Sequence, residues 1–473
     1  MRPLASQYLA PLVPGFLPAP LRQMVDKAIA LVDTVLSDDS EKASDQRATL
    51  FAFLIRVGSA ALAFVSQVFF ARWLGTHEYG IFVWIWTMAL IAASMACLGM
   101  SSALVRFIPQ YRQQGDFARL RGILATTRWP LVLWSSFLAG LGVLTIYTFE
   151  DRIPADYVGP LLLTAACLPM LALADIQDGV GRGFAWIPLA LGPPFLLRPL
   201  LILAMMAVAA YSGWPATAST TLLLVLIATT ILSIWQTLAL RDKIATIVPK
   251  GPKVRDWPVW LKVALPIFVV EGFFALLFNA DIIMVGALMA PADVAVYFAA
   301  VKTLALVHFV YFAVKAGAAH RISQYHQAGD REQYEEFVHA TVKWTFWPSF
   351  AVALVLLAVG KPLLFLFGAE FTSGYPVLAI LTAGIVARAA VGPAESILTM
   401  SNQQNICAVI YAGSLATNIG LNLLLIPIYG LWGAGLATLL ALVFEALCLS
   451  IAIKARLGFN VVIFASFFPR KEA

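Results

Sequence analysis

Apolar residues in this chain come in long stretches, separated by short connections that gather its Gly, Pro and charged residues. Twelve such stretches fall near residues 50–74, 80–107, 125–149, 157–180, 188–211, 217–240, 259–289, 293–318, 341–360, 375–400, 405–428 and 430–453. A helix needs ~20 apolar residues to cross the hydrocarbon core of a bilayer, so each stretch is predicted to be a membrane-spanning helix. The first 49 residues differ. They open on scattered prolines, and Leu21, Met24, Val25, Ala28, Ile29, Val32 and Leu36 then fall at helical spacing. That pattern predicts an amphipathic helix lying on the membrane surface or docked on the bundle. Residues 459–468 are expected to form a second surface-lying segment.

The pattern repeats. Gln110-Tyr111-Arg112-Gln113-Gln114-Gly115-Asp116 returns as Gln324-Tyr325-His326-Gln327-Ala328-Gly329-Asp330, each copy after two apolar stretches and before a third. An acidic cue before the second stretch recurs too, Glu78-Tyr79-Gly80 against Asp293-Val294-Ala295. Six spans precede the basic connection at 241–257 and six follow it. An even number returns the chain to its starting side, so both halves enter with one orientation. Repeats of that kind sit side by side about an axis along the membrane normal, with a cleft between them. The expected organisation is a tail over 1–49, an N-lobe over 50–240, a linker over 241–257, a C-lobe over 258–457 and a tail over 458–473.

Composition agrees with this. Hydrophobic residues make up 61% of the chain and charged residues 12%, too apolar a balance to hide in a soluble core. The net charge of +6 matters by position. Arg and Lys collect in the N-terminal tail and in alternate connections, as with Arg112, Arg119 and Arg121 or Lys250, Lys253 and Arg255. The opposite set holds only Arg72, Arg152 and Lys361. By the positive-inside rule both termini are cytoplasmic. The basic loops then set topology, and no nucleic-acid partner is expected. Cys97, Cys167, Cys407 and Cys448 lie inside apolar stretches without metal-ligand spacing and read as buried hydrophobes.

Several runs together resemble a family, the polysaccharide flippases of the multidrug/oligosaccharidyl-lipid/polysaccharide exporter superfamily. They are Ala71-Arg72-Trp73-Leu74-Gly75 with Glu78-Tyr79-Gly80, Ala103-Leu104-Val105-Arg106-Phe107 with Gly115-Asp116, and Asp281-Ile282-Ile283-Met284-Val285-Gly286 with Val294-Ala295-Val296-Tyr297. Asn418, Leu421-Asn422, Leu425-Ile426-Pro427 and Gly433-Ala434-Gly435-Leu436-Ala437-Thr438 complete the set. The resemblance covers residues 50 to 457. It implies an all-α polytopic membrane protein of about twelve transmembrane helices in two pseudo-symmetric six-helix lobes. It implies, too, a transporter without catalysis in a bacterial cytoplasmic (inner) membrane, moving a polyprenyl-pyrophosphate-linked oligosaccharide for O-antigen, capsule or exopolysaccharide synthesis. Its partners would be that lipid, the bilayer, and polysaccharide polymerase and assembly proteins. No cofactor is implied beyond coupling to H⁺ or Na⁺.

Ionisable groups within a span cost at least ~2.5–3.5 kcal/mol each, so those present point to function. Arg56, Lys302, Arg198 and Arg388 are the candidate cations to hold a pyrophosphate. Ser59 and Gln67 share the Arg56 face, and Arg198 sits between Pro194 and Pro199, where a broken helix is expected. Arg388 and Glu395 are seven apart on one helix face, with Gly384 and Gly392 able to bend it. The opposing reading pairs Arg388 with Glu395, or Lys302 with Asp281, for helix packing alone. Glu271, Asp281 and Glu395 are candidates for ion coupling. Asp281 would otherwise fix the corner between the seventh and eighth spans. Asn418 and Asn422, at i and i+4, are expected to bond across helices, and Pro427 and Gly433 to shape a tight break and a close helix approach. Asp175, Asp178 and Arg182 read as end residues that snorkel. The run Gly179-Val180-Gly181-Arg182-Gly183 lacks a strand before it and is no nucleotide loop. His308 reads as a packed or cavity-lining residue.

Three further readings compete. A cation-coupled multidrug exporter of the same superfamily would favour carboxylates and aromatics over these intramembrane cations. A membrane-embedded polysaccharide polymerase or ligase would carry a large outward loop, whereas the longest outward connections here are 149–157 and 361–375. A channel would not need this two-lobe repeat.

Overall fold

The computed structural model describes residues 41–328, 331–401 and 403–463; the side chains of 41–54, 56–57 and several between 306 and 328 fall outside that description. The predicted surface helix of the tail lies outside the described residues. Everything regular that is described is helical. In chain order the helices are α1 (Glu41–Ala96), α2 (Met100–Gln113), α3 (Phe117–Thr148), α4 (Ala155–Gly183), α5 (Ile187–Tyr211) and α6 (Ala218–Ile247), forming the N-lobe. The C-lobe follows as α7 (Trp257–Leu288), α8 (Pro291–Ala328), α9 (Arg331–Phe367), α10 (Tyr375–Ala389), α11 (Ala394–Met400), α12 (Gln404–Tyr429) and α13 (Leu431–Leu457). Ten helical segments among the described residues are long and apolar enough to cross a membrane. The expected first and second spans both lie in α1, and the expected eighth lies in α8.

Glycine and proline place the breaks. Gly75 (φ 74°, ψ 173°) turns α1 back on itself within one residue, a conformation open to glycine and strained for any Cβ. The second expected span does not run on to 107. It stops at Ala96, and Leu98 and Gly99 both take positive φ before α2 begins. At Gly99 a Cβ would stand 2.3 Å from the Ala264 carbonyl oxygen, so the backbone of α7 occupies the space a side chain would need. In α5 the helix is not broken at Arg198. A π-helical turn over Pro193–Leu197 absorbs the two prolines and delivers Arg198 as the first residue of a regular helix.

The apolar core falls into three clusters, and their arrangement shows how the lobes meet. The largest joins both lobes, combining Phe70, Tyr79 and Phe82 with Val294, Phe298, Phe367 and Phe371. It lies at the end away from the basic connections. Here Gly80 packs so closely on the Pro291 carbonyl that an added Cβ would stand 1.7 Å from its oxygen. Arg72 donates to the Phe365 (3.1 Å) and Leu366 (2.5 Å) carbonyls at the end of α9, and Thr76 donates to Glu370 (3.0 Å). The other two clusters lie at the basic end and are separate. One holds Met100, Leu104, Leu120 and Ile176 of the N-lobe; the other holds Ile322, Val338, Ile397 and Leu449 of the C-lobe. Among the described residues, one continuous core therefore joins the lobes at one end, while at the other the cores are separate and α7 makes the contacts that cross between them. Gly80→Ala tests the joined end: overpacking at such a contact costs about 1–3 kcal/mol. The variant is expected to melt at lower temperature in detergent and to lose a cysteine cross-link placed between residues 77 and 370.

Helix α7 serves both lobes. Its first turns pack into the N-lobe cluster, where Trp260 donates its indole N–H to the Tyr111 hydroxyl at 3.0 Å. Its later turns pack on α12. The segment after α13 is not surface-lying over 459–463. Phe459, Val461 and Ile463 alternate into the C-lobe core, and the Ile463 N–H donates to the Ala390 carbonyl at 2.8 Å. This irregular segment buries every second side chain on one side, where a helix over the same residues would turn some of them outward.

Candidate functional site

Charged side chains deep in the bundle collect in two places: a polar recess built by α2, α4, α5 and α7, and a cavity inside the C-lobe. Lys302 of α8 stands apart from that cluster, exposed although protein crowds it. Its ammonium stands 4.7 Å from the centre of the Phe298 ring, and it makes no ion pair with Asp281. Arg198, half-buried and likewise crowded, lies 5.8 Å from the Trp86 ring centre. Aromatic faces of this kind favour a cation without neutralising it. The Arg56 side chain lies outside the described residues. Gln67, on the same stripe, accepts from the Tyr79 hydroxyl at 2.8 Å within α1.

Two carboxylates share the recess with Arg198. Asp175 of α4 interacts electrostatically with Arg198 and with Glu271 of α7, and Glu271 accepts a hydrogen bond from the Ser102 hydroxyl of α2. Asp175 is thus no snorkelling end residue. Sequence reasoning missed it because its apolar stretch ends only five residues later, and the tertiary fold carries α4 inward. The electrostatic balance here is mixed: the Arg198 guanidinium faces Asp175, which in turn lies near Glu271 of another helix, and an incoming anion competes with Asp175 for Arg198.

The C-lobe cavity has a volume of about 190 Å³. At one end Asp281 accepts from the side-chain amides of Asn418 (2.8 Å) and Asn422 (3.1 Å) on α12. Tyr297 and Thr438 close the group, their hydroxyls 3.3 Å apart. Asp281 therefore binds α7 to α12, and its bond with Tyr297 ties it to α8 as well. The Asn422 carbonyl oxygen is buried without a hydrogen-bond partner among the described residues. The two amides present N–H groups to the carboxylate, while the carboxylate itself, the Thr438 hydroxyl and the unspent Asn422 amide oxygen are hard oxygen donors of the kind a monovalent cation takes.

At the other end Arg388 is held between two carboxylates. Its Nε donates to Glu445 at 2.5 Å, and one of its terminal nitrogens donates to Glu395. Arg388 and Glu395 do not ride one continuous helix. Gly392 (φ 61°) and Pro393 end α10 and start α11, and the turn folds Glu395 back onto the guanidinium. With Arg388 only 9% exposed, its charge is spent inside the C-lobe and not offered to the recess. Glu445 completes the trio from α13, and its sequence position alone does not announce that partnership. His308 lines the same cavity.

The remaining motif residues pack helices. A Cβ on Gly433 would meet the Leu425 carbonyl oxygen at 2.2 Å, and Pro427 lies in the last turn of α12 before Gly430 (φ 58°). The glycine-rich run at 179–183 is the last turn of α4. Gly179 there crosses the Ser101 backbone and Gly183 crosses Leu104 and Ile108, so close helix contact explains the glycines. Glu78 caps α6, accepting the Ala218 N–H at 2.7 Å, where the positive end of the helix dipole favours a carboxylate.

Comparison with known proteins supports the same architecture. A family model described as polysaccharide biosynthesis protein matches residues 47–180, and the MatE model matches residues 266–424. The probable low-salt glycan biosynthesis flippase Agl15 of Haloferax volcanii is 23% identical over 418 residues, covering 84% of this chain and 80% of that protein. Among solved structures, an inward-facing multidrug resistance MATE family transporter of the MOP superfamily superposes with a TM-score of 0.68 at 13% identity, over 85% of this chain and 94% of that one. The lipid II flippase MurJ, in an inward closed conformation, gives 0.67 at 16% identity, over 86% and 87%.

Proposed function

We propose, from the premise that this chain is a multi-pass membrane protein of the multidrug/oligosaccharidyl-lipid/polysaccharide exporter superfamily, that it flips a polyprenyl-pyrophosphate-linked oligosaccharide across the cytoplasmic membrane. The observation that carries this reading is the pair of cations in opposite lobes, Arg198 and Lys302, each beside an aromatic ring and neither in a salt bridge among the described residues. A diphosphate needs cationic donors and water to leave the headgroup region. Arg supplies a planar fork and Lys a point charge. The end with separate cores carries the basic connections, so by the positive-inside rule it faces the cytoplasm, where such a lipid is assembled. Rocking of the lobes then brings that end together and releases the core around Tyr79, Phe298 and Phe371. In this reading both termini are cytoplasmic, the lobes divide near the 241–257 linker, and polymerase and assembly proteins take the product. Arg56 stands in the first limb of α1 and would join the cation set.

The drug-exporter reading keeps one observation on its side: Asp175 and Glu271 put two carboxylates in the recess. Reconstituted vesicles separate the two. A labelled polyprenyl diphosphate-linked saccharide loaded into one leaflet should become accessible to an enzyme on the other side only with the protein present. Movement of a cationic dye and none of the lipid would reject the flippase reading.

Coupling falls to Asp281. Its carboxylate, with Asn418, Asn422 and Thr438, would hold Na⁺, or a proton would take its place on the carboxyl group. Glu395 is a weaker coupling candidate, because the Arg388 cation already neutralises it, and Glu271 has only the Ser102 hydroxyl beside it where Asp281 has a full set of polar neighbours. A ligand present at ~100 times its Kd stabilises its protein by about 2.7 kcal/mol. Sodium chloride, against choline chloride, is therefore expected to raise the melting temperature of the wild type. Asp281→Asn should abolish that rise; an unchanged sodium response in the variant would clear Asp281 of the role.

A further inference from the structure

The C-lobe cavity has a feature that neither helix packing nor a bound cation explains. Its mouth is aromatic and open. Phe274 and Phe278 on α7 are 41% and 61% exposed, and Phe274 lies edge-on to Tyr411 of α12 with ring centres 5.6 Å apart. Behind these rings stand Glu395, Glu445 and Arg388. We propose that this cavity docks the sugar ring next to the diphosphate, stacking it on Phe274 and Tyr411 while its hydroxyls donate to Glu395 and Glu445. The inference rests on the lipid-linked saccharide reading and assigns the part of the substrate which that reading leaves unplaced.

The chemistry of the lining selects among occupants. A pyranose has an apolar C–H face and a rim of hydroxyls, so it asks for an aromatic plate on one side and acceptors on the other. A carboxylate presents about four lone-pair sites, so Glu395 and Glu445 can accept from hydroxyls while each holds Arg388. A prenyl chain would leave those charges desolvated. A small cation has no use for the rings, and an organic cation would leave the acceptors on Glu395 and Glu445 without hydroxyl donors.

Size and position agree. A cavity of ~150 Å³ holds one benzene-sized ring, so about 190 Å³ takes a single sugar ring and not a disaccharide. Glu271, Phe274 and Phe278 lie at i, i+3 and i+7, on one face of α7. Glu271 faces the recess with Arg198 and Asp175, and Phe274 follows ~4.5 Å along the axis. One helix face thus leads from the cations to the cavity, and a headgroup whose phosphates lie in the recess has its first sugar at the aromatic mouth.

Binding of two lipids to the full-length protein in nanodiscs tests this. One is bare polyprenyl diphosphate; the other carries a single hexose or N-acetylhexosamine, taken from a panel of glucose, galactose and their N-acetylamino forms. At least one glycosylated lipid is expected to bind the wild type about tenfold tighter than the bare one. Phe274→Ala and Tyr411→Ala should each erase that increment and keep the affinity for bare lipid, which also shows that the variants are folded. Lys302→Ala should weaken both lipids by the same factor. Equal affinity for the bare lipid and every glycosylated one, or an increment that survives in both aromatic variants, overturns the sugar site and leaves the flippase reading standing. Failure of the wild type to bind either lipid overturns both.

Discussion

Lys302→Ala is expected to abolish flipping in reconstituted vesicles while the protein still inserts, elutes as a single species and melts near the wild-type temperature. The ammonium sits on α8 over Phe298 and enters no ion pair among the described residues, so its removal breaks no internal contact that folding depends on. Removing a cation that pairs a desolvated phosphate costs about 2–5 kcal/mol, which is at least a roughly thirtyfold loss in binding. Lys302→Arg keeps the charge and should keep much of the activity. Wild-type transport by the alanine variant would remove Lys302 from the site and the pair of cations with it.

Arg388→Met should behave in the opposite way, as a folding defect. The guanidinium is buried between Glu395 and Glu445, and removing it leaves two carboxylates deprived of that cation in the C-lobe interior. Breaking a buried pair from one side costs about 3–5 kcal/mol, so a large fall in melting temperature and poor yield are expected. Arg388→Lys should recover only part of the loss. Two different nitrogens of the planar fork serve the two carboxylates, and one ammonium cannot reproduce both directions. Replacing all three members, with Glu395→Gln and Glu445→Gln beside Arg388→Met, should restore stability, because a neutral trio carries no uncompensated charge. A single methionine variant as stable as the wild type would contradict this account.

The contrast between these two arginine and lysine positions was only half legible in the sequence. Lys302, Arg198 and Arg388 each stand out as a charge inside an apolar stretch, and the cost of such a charge already says that each has a partner or a cavity. Which of the two applies depends on neighbours far along the chain. Arg388 meets Glu445 across 57 residues, Asp281 meets Asn418 across 137, and Ser102 meets Glu271 across 169. No local periodicity encodes those distances. The expected pairing of Arg388 with Glu395 did follow from their spacing. Its geometry did not, since a continuous helix was expected where Gly392 and Pro393 make a turn. Asp175 was set aside as an end residue because span ends were judged from hydropathy alone, and hydropathy does not show how α4 leans into the bundle.

By itself the sequence determined that this chain is a multi-pass helical membrane protein, and it gave the expectation of twelve crossings in two like halves, where the described residues hold ten segments long and apolar enough to cross. Those properties depend on hydrophobic length, on the even number of spans and on charge counted loop by loop, and all three are additive along the chain. Only the tertiary structure decided which intramembrane charges face water and which are spent on one another. The energy of a charge at depth depends on its surroundings in three dimensions, and residues of one recess are contributed by helices from opposite halves of the chain.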